Sequence, residues 1–81
     1  MPAEVLVSGS GAARLLGISR QWVHRLAKAA EEARERGEAT EATFPAPYGL
    51  LDEAEVPVWR KVDIESYREH REREQAAAHA A

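Results

Sequence analysis

Ser8-Gly9-Ser10-Gly11-Ala12-Ala13-Arg14-Leu15-Leu16-Gly17-Ile18-Ser19-Arg20-Gln21-Trp22-Val23-His24-Arg25-Leu26 is the stretch on which the fold turns. Ser8 carries a hydroxyl that can accept a free backbone N–H two or three residues on, which predicts a helix N-cap. Ala12, Ala13, Leu15 and Leu16 follow at helical spacing. Gly9 and Gly11 weaken this helix by up to roughly 1 kcal/mol each where they fall in its interior, so it is short and relies on packing. Gly17 ends it, because glycine accepts the left-handed conformation of a helix C-terminus. Ile18 is apolar, and Ser19 is the next N-cap. Val23, Leu26, Ala27 and Ala30 then stand at i, i+3, i+4 and i+7, one apolar stripe. An alanine-, glutamate- and arginine-rich run carries the second helix to Arg36, where Gly37 can stop it. That makes roughly 17 residues, or about 25 Å.

Beyond this pair the periodicity changes. Glu38 to Thr43 is polar and reads as a loop. Phe44-Pro45-Ala46-Pro47 forces extended backbone, since each proline fixes φ and biases its predecessor away from helix. Tyr48-Gly49-Leu50-Leu51 and Val56-Pro57-Val58-Trp59 read as two short strands around a turn at Asp52 to Glu55. Pro57 cannot donate to a ladder, so its strand is expected to be an edge or to carry a bulge. Trp59 reads as core, with Phe44 and Tyr67 as neighbours. Asp63 is expected to cap a final helix from Ile64, packed through Ile64 and Tyr67. Upstream, Val5-Leu6-Val7 is too short to classify. The domain is expected over residues 1–71, with a charged, alanine-rich tail over 72–81 that frays. The order α-α-β-β-α predicts a mainly α protein with a small β-hairpin, a winged helix-turn-helix.

The 81 residues suffice for one domain. A chain this short buries only roughly 60–65% of the surface its unfolded form exposes, which favours binding over a deep catalytic pocket. With no cysteine, the chain has no disulfide framework, thiolate metal site or cysteine nucleophile. His24, His70 and His79 lack the i, i+4 spacing of a helical zinc motif. The carboxylates are interleaved with arginines, as solvated i, i+4 pairs are, and no glycine-rich phosphate loop occurs. Neither an enzyme nor a cofactor is expected. No apolar run approaches the roughly 20 residues of a bilayer span. Met1 to Val7 carries Glu4 and lacks the basic and apolar parts of a secretory leader. A cytoplasmic protein without a membrane partner is the expectation.

The net charge of −3 hides a strong segregation. Val5 to Lys28 holds Arg14, Arg20, Arg25 and Lys28 and no acid, a local charge of +4. Ala29 to Glu55 holds eight acids against Arg34 and Arg36, a local charge of −6. A polyanion responds to the field within roughly 8–10 Å, so the basic quarter is a possible binding face despite the total.

The quoted stretch has a paired alanine (Ala12, Ala13), the turn Leu16-Gly17-Ile18-Ser19, and Val23 four residues after the serine. In these it resembles the start of the excisionases and AlpA-like regulators of the MerR-like winged helix-turn-helix superfamily. Phe44-Pro45-Ala46-Pro47 and Trp59-Arg60-Lys61-Val62-Asp63-Ile64-Glu65-Ser66-Tyr67 look like that family's wing and the Trp-Arg, acid-capped helix after it. The resemblance covers about Val5 to Arg71. It implies a recombination directionality factor, which binds repeated sites in attachment DNA, often cooperatively, bends them, and biases an integrase toward excision. Bending by 40–90° costs on the order of 1–6 kcal/mol, so several copies or extra contacts must offset it. An AlpA-like transcriptional regulator is the other reading within the class, and an adaptor using the acidic middle is the reading outside it. Three departures stand out. Gly11 replaces the usual capping-box glutamate, Ala29 to Thr43 is longer than the family's link, and the turn between the strands is acidic.

A recognition helix needs polar and basic first turns over an apolar underside. Arginine pairs bidentately with guanine and glutamine with adenine. Ser19, Arg20, Gln21, His24, Arg25 and Lys28 fit duplex DNA in this way, with Lys28 assigned to phosphate. Ser19 caps the helix and its N-terminus also attracts phosphate; both roles can hold at once. Arg14, Arg60 and Lys61 are candidate backbone contacts, against the alternatives of a local ion pair or a solvated basic pair. Trp22 packs against the first helix or lies along the sugar-phosphate backbone. Ala29 to Arg36 is a solvated helix end or a contact for a second copy or a recombinase.

Overall fold

The computed structural model describes residues 5–40, 42–53 and 55–80. The reading of Met1 to Glu4 as free of a leader therefore lies outside the described residues, as do Glu41, Ala54 and Ala81. Three helices and three short strands follow one another: β1 (Leu6–Val7), α1 (Gly9–Leu16), α2 (Arg20–Glu35), β2 (Gly49–Leu51), β3 (Val56–Arg60) and α3 (Lys61–Ala80). The result is a mainly helical protein with a small antiparallel sheet in the order β1-β3-β2.

Local chemistry sets the helix ends. Ser8 Oγ accepts from the Gly11 N–H at 3.4 Å and Ser19 Oγ from the Trp22 N–H at 3.1 Å. Gly17 takes φ 68°; its N–H reaches the Arg14 carbonyl at 3.3 Å and the Ile18 N–H reaches that of Ala13 at 3.0 Å. This paired closure satisfies carbonyls that would otherwise be orphaned at the end of α1. Gly37 repeats the device at φ 70°, with the Glu38 N–H on the Ala33 carbonyl at 2.8 Å. Gly11 has a packing reason for its size, since a Cβ there would stand 3.0 Å from the Val7 Cβ. β1 therefore lies directly on α1.

The sheet and the start of the last helix differ from the sequence expectation. Val5-Leu6-Val7, too short to classify alone, contains β1, which pairs Leu6 with Arg60 and Val7 with Trp59. β3 is consequently the central strand, yet at Pro57 it is locally an edge, as expected of a residue without an N–H. Pro57 faces Leu50 of β2 at a level that β1 does not reach, so the flank of β3 there has no third strand to receive an N–H. The last helix begins at Lys61, whose N–H donates to the Val5 carbonyl at 2.7 Å, and not at Ile64. Asp63 sits within its first turn, where its carboxylate accepts from Arg60 at 2.8 and 3.0 Å. The segment from Glu72, helical by propensity, continues α3 to Ala80. Arg68–Glu72 at 3.0 Å and Arg73–Glu69 at 3.7 Å support it at i, i+4 spacing.

α1 is the hub, packed against α2, α3, β1 and β3. The core joins Ala12, Ala13, Val23 and Ala30 of the helices to Phe44, Trp59 and Ile64. Small alanines let the helices approach closely, and Trp59, fully buried, fills the space under the sheet. Its indole N–H donates to the Pro45 carbonyl at 2.9 Å. Phe44 lies 5.6 Å from the Trp59 ring and meets Tyr67 edge-on at 5.1 Å, the neighbours expected from sequence. The Phe44 carbonyl accepts from Arg34 Nη1 at 3.0 Å, so the proline-rich strap is tied to α2 on one side and to β3 on the other.

Candidate functional site

α2 presents two chemically different faces. Val23 and Ala30 are buried, with Leu26 and Ala27 half-buried beside them, so the apolar stripe points into the core. Ser19, Arg20, Gln21, His24, Arg25 and Lys28 are all exposed. Among the described residues, Arg20, Arg25 and Lys28 form no ion pair, although the same chain pairs Arg36, Arg60, Arg68 and Arg73 with carboxylates. Over the first two and a half turns the exposed side of α2 is therefore cationic and hydrogen-bonding, with no carboxylate of its own.

The details of that face come from its neighbours. A Cβ placed on Gly9 would stand 3.8 Å from Arg20 Cγ and 3.8 Å from His24 Nε2. The first turn of α1 thus backs both side chains without blocking them. The Arg25 guanidinium lies 6.0 Å from the centre of the Trp22 ring, within reach of a cation–π contact. Trp22 itself is 43% exposed, and besides supporting Arg25 it lines a groove shared with Tyr67 and His70 of α3. Lys28 lines a groove of about 470 Å³ between α2 and the hairpin, with His24, Leu50 and Pro57. Glu31 closes the same groove as the first carboxylate met along the helix.

Two of the further candidates are exposed and one is engaged. Arg14, in the last turn of α1, is exposed and forms no ion pair among the described residues. Lys61 is exposed at the start of α3. Arg60 is held bidentately by Asp63, and its guanidinium lies 5.6 Å from the centre of the Tyr48 ring. It braces the sheet against α3. The hairpin turn exposes Asp52, Glu53 and Glu55, with Asp52 and Glu55 at φ 48° and 53°. Beside it Tyr48, Leu50, Leu51 and Val56 are at least 40% exposed, an apolar rim that the strand pattern alone does not single out.

The helix dipole sharpens the contrast along α2. Its first turn contains no acid and begins with Arg20, while Glu31, Glu32 and Glu35 occupy its second half. Favourable placement is the reverse, each charge contributing typically 0.3–1 kcal/mol when it complements the macrodipole. The macrodipole therefore does not favour this arrangement. Among the described residues no group of three His, Cys, Asp or Glu could hold a metal, and no helix is long and apolar enough to cross a membrane. No family model, no curated protein and no solved structure matches the chain.

Proposed function

We propose that this is a winged helix-turn-helix protein that binds duplex DNA and performs no chemistry of its own. α2 enters the major groove by its N-terminal half. The observation that carries the reading is the exposed, carboxylate-free set Arg20, Gln21, His24, Arg25 and Lys28 on a helix whose opposite side is core. B-DNA's major groove, about 12 Å wide, admits one helix, and the bidentate forks of arginine and the amide of glutamine discriminate guanine and adenine there. Trp22 limits the freedom of Arg25 and so lowers the entropy lost when it pairs with a base. Lys28, Arg14 and Lys61 meet phosphates. Glu31, Glu32 and Glu35 repel the duplex beyond Lys28, which confines insertion to the first turns.

Within this class the reading is an excisionase that bends attachment DNA for an integrase, with self-association on DNA offsetting the bending. The AlpA-like regulator is distinguished by its site: footprints on direct repeats beside an attachment core mark the excisionase, one site over a promoter marks the regulator. The adaptor reading draws on the exposed apolar rim and acidic turn of the hairpin.

Titration of the folded protein with duplex over a salt series tests the proposal. Binding should weaken with a log–log slope near −0.9 per phosphate neutralised, about −3 to −5 for the cations placed here. A folded chain with no duplex affinity at low salt overturns it.

A further inference from the structure

We propose that the crevice between the α1–α2 turn and α3 holds one backbone phosphate of the bound duplex, gripped by Arg14 and Arg71. The assignment rests on the DNA-binding reading above and adds Arg71, absent from the sequence-based contacts, to the interface.

The crevice measures about 420 Å³ and is lined by Arg14, Gly17 and Ile18 on one wall and by Arg68, Arg71 and Glu72 on the other. Three guanidinium groups and one carboxylate line it. Glu72 is already engaged by Arg68 at 3.0 Å, which leaves the charges of Arg14 and Arg71 uncompensated. Neither forms an ion pair among the described residues.

The sequence shows why Arg71 differs from its neighbours. Arg68, His70 and Arg73 each have a glutamate four residues away, and each is paired with it. Arg71 has Tyr67 and Gln75 at those positions, and Arg14 has Ser10 and Ile18. Arg14 and Arg71, neither with a carboxylate four residues away, line the same crevice. Gathering like charges from helices far apart in the chain is unfavourable unless an anion joins them, and the guanidinium fork suits phosphate.

Position ties this crevice to α2. Its floor is Gly17 and Ile18, and the next residue, Ser19, caps the recognition helix. Nothing lies within 4 Å of the space a Cβ on Gly17 would occupy, so the approach is open. A strand flanking the groove entered by α2 passes this opening and sets one phosphate against it. Arg14 and Arg71 then fix the depth and register of α2 and read no base.

Arg14→Gln, Arg71→Gln, the double variant and the control Arg73→Gln are compared by duplex titration over a salt series. Circular dichroism establishes that each is folded. Each crevice substitution should reduce the magnitude of the salt slope by about 1 and weaken all sequences alike, with the order of preferred sites kept. Arg73→Gln should leave the slope unchanged. Wild-type slopes in both crevice variants overturn the crevice and leave the DNA reading standing. If the wild type binds no duplex, the DNA reading fails, and inorganic phosphate decides the crevice separately. Saturable shifts of the Gly17 and Ile18 amides, lost in the double variant, then support the site with free phosphate as its ligand; no saturable shift overturns it.

Discussion

The two halves of α2 share one backbone and one core-facing stripe, yet they are built on opposite terms. From Arg20 to Lys28 the exposed polar side chains are cationic or hydrogen-bonding, and the cations among them form no ion pair among the described residues. From Glu31 onward the exposed face is acidic, and the chain there is fastened down: Arg34 holds the Phe44 carbonyl at 3.0 Å and Arg36 meets Glu38 at 3.2 Å. Arg34 and Arg36 bond a carbonyl and a carboxylate of the chain, whereas Arg20 and Arg25 form no ion pair among the described residues. Residue type is the same in both; what differs is whether the chain itself supplies an acceptor.

That contrast can be broken at its foundation by Trp59→Ala. The indole is fully buried and anchors the strap through Pro45. Its loss should cost about 3–5 kcal/mol in urea or thermal unfolding, most of the stability of a chain this size. Replacing Arg20 or Arg25 with alanine should cost about 1–3 kcal/mol each in binding the preferred duplex and erase preference at one base. Stability in these variants should stay within about 0.5 kcal/mol, as for exposed positions without partners. Arg34→Ala should show the mirror image. It orphans the Phe44 carbonyl and should lower stability by about 1–3 kcal/mol, with the preferred duplex sequence unchanged. Glu35→Gln should have the smallest effect, a gain of about 0.3–1 kcal/mol in stability from the relieved dipole, read as a higher melting temperature.

Features set by neighbouring residues are legible in the sequence itself. The caps Ser8 and Ser19, the stops Gly17 and Gly37, and the buried stripe of α2 follow from local hydrogen bonding and spacing. Exposure of Gln21, His24 and Arg25 follows from the same stripe. Features set by distant partners are not legible there. Leu6 and Val7 become a strand only because β3 returns beside them. The bidentate pairing of Arg60 with Asp63 is one such feature, which joins the end of β3 to the first turn of α3. The meeting of Arg14 with Arg71 depends on how α3 crosses α1, which no spacing rule reports.

The central claim is that the N-terminal half of α2 faces DNA and the C-terminal half does not. Mapping amide shifts of the isotope-labelled protein during titration with a short duplex at low salt tests it most directly. The largest shifts should fall between Ser19 and Lys28, with little change from Glu31 to Glu38 and at Asp52 to Glu55. Shifts centred on the acidic half or on the hairpin turn, with Arg20, Gln21 and His24 unmoved, would contradict it.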